Sequence, residues 1–137
     1  MTELAGRTHE LTIRVYWEDT DAGGIVYHAN YLNFMERGRT ELLRDLGLGQ
    51  GGLQAREGMT FVVRRMDIVF DRPAVLDDLL TVETFVAEIG GASMTLSQRV
   101  LRDGAVLASA SVIIVAIAEG KPRRIPPEVR KLFLRDG

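Results

Sequence analysis

The sequence predicts an α+β domain in which one long amphipathic helix lies against a curled antiparallel sheet. Three observations carry that expectation. An alternating run near the N-terminus gives way to helical spacing at about Asn30. Four further runs of strand character follow, between Thr60 and Ala118. The last two gaps between them are short enough for hairpins, which makes those strands antiparallel. A lone helix cannot bury its own apolar stripe, and a sheet wrapped around it is the economical solution.

The first strand is residues 10–18, ELTIRVYWE, with Leu11, Ile13, Val15 and Trp17 on one side and Glu10, Thr12, Arg14, Tyr16 and Glu18 on the other. DTDAGG breaks it, since acidic turns and paired glycines punctuate regular structure. In the helix, Tyr31, Phe34/Met35, Gly38, Leu42 and Leu46 recur at three- and four-residue spacings, over about four turns. Asn30 is the expected N-cap and Gly47 the stop. Gly38 in mid-helix costs about 1 kcal/mol of propensity, which close approach of the backbone to a sheet would offset. LGLGQGGLQAREG, 46–58, is expected to be a glycine-rich loop or lid with at most a turn of helix. The remaining strands are Thr60–Phe70, Leu79–Glu88, Ser93–Arg102 and Ala105–Ala118. Pro73 with Asp77-Asp78, Gly90-Gly91 and Asp103-Gly104 separate them. Open sheet edges favour pairing between subunits, so a dimer is expected rather than a monomer.

The chain has 137 residues, which suits one domain spanning 1–137. Its 46% apolar and 26% charged residues are ordinary for a globular protein. A formal charge of −2 lacks the field of a dedicated nucleic-acid binder. There is no cysteine, so disulfides, thiolate metal sites and cysteine nucleophiles drop out, and a reducing cytoplasm fits. MTELAGRTHE has no apolar core of a secretory signal. The uncharged run Ala105–Ala118 falls short of the roughly 20 residues needed to cross a bilayer and reads as a buried strand.

The inventory also narrows the chemistry. The sequence holds neither GxSxG nor GxxxxGK[ST], and only two histidines, His9 and His28. Asp19, Asp21 and His28 make a thin metal set, and no metal is expected. What remains is a pair of carboxylates just ahead of a helix start, whose first N–H groups lack intrahelical partners and suit an oxyanion. A carboxylate facing an oxyanion donor is a minimal acyl-transfer site, one good donor being worth about 3 kcal/mol. The plainer alternative is an Asx-turn that caps the helix. Asp19, at the strand end, is the more structural of the two, and Asp21 the freer. The backbone N–H of His28 is a better oxyanion donor than its ring. Tyr27 and Tyr31 are expected in the pocket wall or a dimer contact, Glu36 and Glu41 on a solvated or subunit-facing surface. Arg64 and Arg65, being sequential, are expected on opposite faces of their strand. The C-terminal run KPRRIPPEVRKLFLR is either a solvated tail or a phosphate-binding rim.

VYWEDTDAGGIVYHANYLNFMERGR resembles the signature of hotdog-fold acyl-CoA thioesterases. It is most similar to the 4-hydroxybenzoyl-CoA thioesterase family, and within it to the branch associated with the Tol-Pal cell-envelope system. FVVRRMDIVFDRPAVLDDLLTVET, SMTLSQRVLRDG and KPRRIPPEV extend the resemblance over about residues 10–130. It implies a hotdog fold, a five-stranded antiparallel sheet around one central helix. It implies hydrolysis of an acyl-CoA or acyl-carrier thioester, with coenzyme A as part of the substrate and no separate cofactor. By position, the family's catalytic carboxylate falls on Asp21 and its oxyanion donor on the N–H of His28, whose ring is expected to assist in this branch. Gly24, Tyr27, Asn30 and Tyr31 are then substrate-facing, and Arg64, Arg65 and the C-terminal arginines are candidates for the coenzyme A phosphates. The resemblance also implies a cytoplasmic homodimer or homotetramer with sites at its interface and a link to the cell envelope. Ala22, where the 4-hydroxybenzoyl enzymes tend to carry proline, and the Tyr27-His28 pair favour acyl over aromatic substrates. The related naphthoate-CoA enzymes share much of the turn and keep an aromatic substrate open. A non-catalytic acyl- or coenzyme A-binding module is the alternative, and a dehydratase on the same fold a weaker one.

Overall fold

The computed structural model describes residues 8–134. Its elements run β1 (Thr8–Arg14), a short 3-10 turn (Trp17–Asp19), α1 (Asn30–Asp45) and α2 (Gln50–Glu57). Then come β2 (Thr60–Phe70), β3 (Leu79–Ile89), β4 (Ser93–Arg102), β5 (Ala105–Ala118), β6 (Lys121–Pro122) and α3 (Pro127–Phe133). The sheet is antiparallel throughout, in the order β1-β3-β4-β5-β2, with the two-residue β6 added to the end of β5. Five long strands wrap one long helix, the hotdog arrangement.

Period-two alternation selects the inner face. Leu80, Val82, Thr84 and Val86 of β3 and Met94, Leu96, Gln98 and Val100 of β4 are buried there. Against them α1 turns Phe34, Met35, Gly38 and Leu42, as its helical spacing requires. Gly38 is the point of closest approach. A Cβ there would stand 2.8 Å from Val82 Cγ1, 3.0 Å from Thr84 Oγ1 and 3.1 Å from Gln98 Nε2. The mid-helix glycine therefore exists for contact with the sheet.

Several local expectations are corrected. β1 ends at Arg14, so Trp17 leaves the alternation and stands 79% exposed in the 3-10 turn. The N-cap of α1 is Ala29, without a side-chain cap bond, and Asn30 is the first helical residue. Gly47, at φ 77°, does follow the helix end, although Leu46 lies just outside the helix and is only half-buried. The glycine-rich segment forms α2, because burial of Leu53, together with Leu48 just ahead, outweighs two unfavourable glycines. Gly58 ends it in the left-handed region at φ 66°, its N–H donating to Gln54 O. The C-terminal run is no solvated tail. Pro127 opens α3, and Val129 and Phe133 are buried, with Phe133 edge-on to Phe61 at 5.9 Å.

β2 carries a bulge. Val63 pairs with Ile114 and Arg65 with Ile113, so Arg64 is the extra residue. Phe61 faces inward before it, and Met66 and Ile68 face inward after it. Five residues separate Phe61 from Met66, an odd interval that plain alternation forbids. Arg64 and Arg65 are consequently both exposed, and simple alternation does not assign them to opposite faces.

Candidate active site

The segment from Val15 to Tyr31 is held against the β2–β3 connection. Val15 N–H donates to Asp78 O at 2.9 Å, Asp77 N–H to Val15 O at 2.9 Å, and Val26 N–H to Ala74 O at 2.8 Å. Ala74 N–H in turn donates to the hydroxyl of the buried Tyr31 at 2.9 Å. Burial raises the Tyr31 phenol above its ordinary pKa, with the Ala74 hydrogen bond pulling the other way. The helix start is thus fixed by a side chain one residue inside it.

The two carboxylates have different surroundings. Asp19 is buried, and both oxygens are engaged: Oδ2 accepts from Tyr16 N–H at 2.8 Å and Oδ1 from Asn30 Nδ2 at 2.6 Å. Its carbonyl accepts from Tyr27 N–H at 3.1 Å. Asp19 therefore ties the strand end to the helix start. Asp21 is exposed, and its Oδ1 accepts from Gly23 N–H at 2.8 Å, an Asx-turn. Among the described residues nothing donates to its second oxygen. Gly24, at φ 82°, supplies the left-handed residue that closes this turn, and its N–H donates to Asp21 O at 3.0 Å.

The helix start tightens into a 3-10 turn. The N–H groups of Asn30, Tyr31 and Leu32 donate to Tyr27 O, His28 O and Ala29 O at 2.8, 3.2 and 3.1 Å. Among the described residues no acceptor meets the N–H of His28 or of Ala29. The open donors therefore belong to the two residues just ahead of α1, which begins at Asn30. The His28 ring is exposed, 4.7 Å from Tyr27 and edge-on to Phe70 at 6.0 Å. Phe70 also lies 5.5 Å from Tyr31. It ends β2, and its aromatic character beside a turn was the only sequence signal that it borders this site.

Not every predicted residue joins the cluster. Asn30 serves Asp19, and it accepts from Asn33 Nδ2 at 2.8 Å. Arg65 donates to Asp67 at 3.0 Å, five residues from Phe70 along the strand, or about 17 Å. Arg123 bonds Glu57 and Arg130 donates to Gly91 O, at the end of the sheet reached by the β3–β4 hairpin. β3 is eleven residues long, so along the strand that end lies about 33 Å from Leu79, beside the β2–β3 connection that holds the Val15–Tyr31 segment. Within one chain Arg123 and Arg130 therefore do not reach the turn, and Arg135 lies outside the described residues. Among the described residues no three of His, Asp and Glu gather into a metal-binding group, Asp19, Asp21 and His28 included.

A hotdog sheet that carries an acidic turn and, among the described residues, unpaired N–H groups just ahead of its helix defines a class, and sequence comparison agrees. The profile of the thioesterase-like superfamily matches residues 15–133, and the chain belongs to that superfamily. Among individual relatives, it is 46% identical to the acyl-CoA thioesterase YbgC of Haemophilus influenzae, over 88% of this chain and 90% of that one. It is 42% identical to the acyl-CoA thioester hydrolase YbgC of Escherichia coli O6:H1, over 85% and 89%. A solved structure, a probable thioesterase from Bartonella henselae, superposes with a TM-score of 0.82 at 45% identity, covering 88% of this chain and all of that one. No helix among the described residues is long and apolar enough to cross a membrane.

Proposed function

We propose that this chain is an acyl-CoA thioesterase that hydrolyses its substrate to a free acid and a thiol, with Asp21 and the His28 N–H at the reacting carbonyl. The observation that carries this reading is an open Asp21 oxygen at the tip of the hydrogen-bonded 19–27 hairpin and, just past the base of that hairpin, a His28 N–H without an acceptor among the described residues. The thioester carbonyl oxygen takes the His28 N–H, which strengthens as negative charge gathers on that oxygen. Asp21 either attacks the carbonyl carbon or takes a proton from a water that does so. The C–S bond breaks, the thiolate leaves and gains a proton, and the acid departs with one new oxygen: from water directly, or, after attack by Asp21, from the aspartate when water opens the anhydride at the Asp21 carbon. Single-turnover hydrolysis in ¹⁸O-water separates the routes, since only attack by Asp21 leaves label in the enzyme's carboxylate. Water is the only co-reactant, and the cysteine-free chain suits work in the cytoplasm.

The working unit in this reading is a homodimer. β2 is a long edge strand that exposes Val62, Val63, Val69 and Phe70, and Phe70 borders His28. A second copy on that edge would cover these groups and close one side of the turn. Light scattering at micromolar concentration tests this, and a clean monomer overturns it.

One observation favours a rival. The Asx-turn at Asp21 is what a purely structural aspartate makes, so a binding module without catalysis fits that contact. Thiol release from a panel of aliphatic and aromatic acyl-CoA substrates, by wild type and Asp21→Asn, decides between them. Turnover by wild type with at least a hundredfold loss in the folded variant supports the enzyme. Tight binding without turnover by either protein supports the module.

A further inference from the structure

Away from the Asp21 turn, α1 and β2 enclose a cleft of about 320 Å³. Its walls are mostly apolar, with Leu43, Phe61, Ile114 and Phe133 prominent, but one charged side chain is built into it. Arg39 Nη1 donates to Gln98 Oε1 at 3.0 Å. Gln98 is completely buried, and its Nε2 donates to Met35 O at 2.9 Å and Thr84 Oγ1 at 2.8 Å. The glutamine is therefore fully committed, and one of its bonds fixes the guanidinium at the cleft wall.

A guanidinium has five N–H donors, and among the described residues only this one bond is made. No carboxylate among them lies within ion-pair distance of Arg39. Glu36, one turn earlier and also on the cleft, is exposed and acts on Arg39 only as a more distant charge. Burial lowers the Arg39 pKa, the mark of a cation short of compensation. A planar, under-bonded guanidinium in an apolar wall matches the flat, two-oxygen fork of a carboxylate.

Resting on the thioesterase reading, we propose that this cleft receives the acyl chain and that Arg39 selects medium-length acyl groups ending in a carboxylate. Two lengths agree. From His28 to Arg39 is eleven residues of chain, about 16 Å at helical rise, and an arginine side chain leaning toward the helix start shortens that to ~10 Å. An extended chain advances ~1.2 Å per bond, so roughly eight to ten carbons span it. At ~30 Å³ per water-sized atom, the cleft holds about ten heavy atoms.

The test is a matched set of substrates: straight-chain acyl-CoAs of four, six, eight and ten carbons, and the same chains carrying a terminal carboxylate. Wild type should favour the carboxylate-ended member at eight or ten carbons by at least tenfold in kcat/KM. Arg39→Met should lower that ratio at least tenfold, and Arg39→Lys should keep part of it. Preference for the methyl-ended chain at every length, or an equal ratio in Arg39→Met, overturns the proposal and leaves the thioesterase reading intact. Failure to hydrolyse any member sinks that reading instead. The cleft is then read by calorimetry with the ten-carbon carboxylate-ended thioester, using Asp21→Asn if the wild type turns it over. Binding at least tenfold weaker on adding Arg39→Met supports the assignment. Equal binding, or a dimer that falls apart when Arg39 is changed, shows that the arginine serves the subunit contact and overturns it.

Discussion

At the start of α1 the chain leaves polar groups open; nine residues beyond Ala29, at Gly38, it leaves no room for a methyl group. In the first region Asp21 keeps one oxygen free and the N–H groups of His28 and Ala29 find no acceptor among the described residues. In the second, Gln98 and Thr84 are wholly buried and joined to each other, to Met35 O and to Arg39. Both regions lie on one helix. The difference shows how a marginally stable fold separates duties: the tight contact, with Gln98 and Thr84 bonded, fixes the helix, so that its entrance is free to hold unmet groups at small cost.

The sharpest way to test that division is to remove the open carboxylate. Asp21→Asn should lose at least a hundredfold in thiol release, about 2.7 kcal/mol at the transition state, with an unchanged melting temperature. Asp19→Ala makes the opposite cut. It strands the Tyr16 N–H and the Asn30 amide, so it should cost about 2–3 kcal/mol in urea unfolding and loosen the turn as well. Stability lost with little activity would assign Asp19 to the frame alone. Gly38→Ala attacks the tight region. With a Cβ 2.8 Å from Val82 Cγ1, overpacking at the upper end of about 1–3 kcal/mol, less about 1 kcal/mol of helix propensity, leaves about 1–2 kcal/mol and should lower the melting temperature by roughly 3–8 °C. No change there would mean the helix slides easily and the contact is not tight.

The smallest effect belongs to Tyr31, which joins the two regions. Its phenol has a raised pKa in the folded protein, so the native state holds that proton longer than the unfolded chain does. Stability linked to it is present below the unfolded value near 10 and is lost as pH climbs through the folded one. Tyr31→Phe should cost about 1 kcal/mol at neutral pH by leaving the Ala74 N–H unpaired. It should also flatten the alkaline fall in stability, as followed by thermal unfolding between pH 8 and pH 11.

Much of this was readable in advance where local chemistry marks the ends of elements. Thr60–Phe70, Ser93–Arg102 and Ala105–Ala118 are strands with those bounds, because glycine, aspartate and proline punctuate them. The division between Asp19 and Asp21 also followed from position, one at a strand end and one inside a turn. What escaped depends on pairing or burial that no local pattern records. The bulge at Arg64 is a property of two strands together, so the faces of Arg64 and Arg65 could not be assigned from β2 alone. α2 is held by Leu53 despite its glycines, and Trp17 leaves its alternation because the strand stops at Arg14. Gln98 did carry a signal, occupying the place of an apolar residue between Leu96 and Val100, and Arg39 follows directly on the close-contact glycine.

The buried glutamine has one more consequence, for how the sheet chooses its alignment. A slip of one residue between β3 and β4 would turn every side chain of one strand to the wrong face. For leucine or valine that error is graded, since a displaced methyl group still finds some grease. For Gln98 it is all or none, because its bonds to Thr84, Met35 and Arg39 break together, each worth about 1 kcal/mol. A single polar residue therefore works as a key in a lock of aliphatic tumblers, rejecting misaligned sheets that the surrounding hydrocarbon would tolerate.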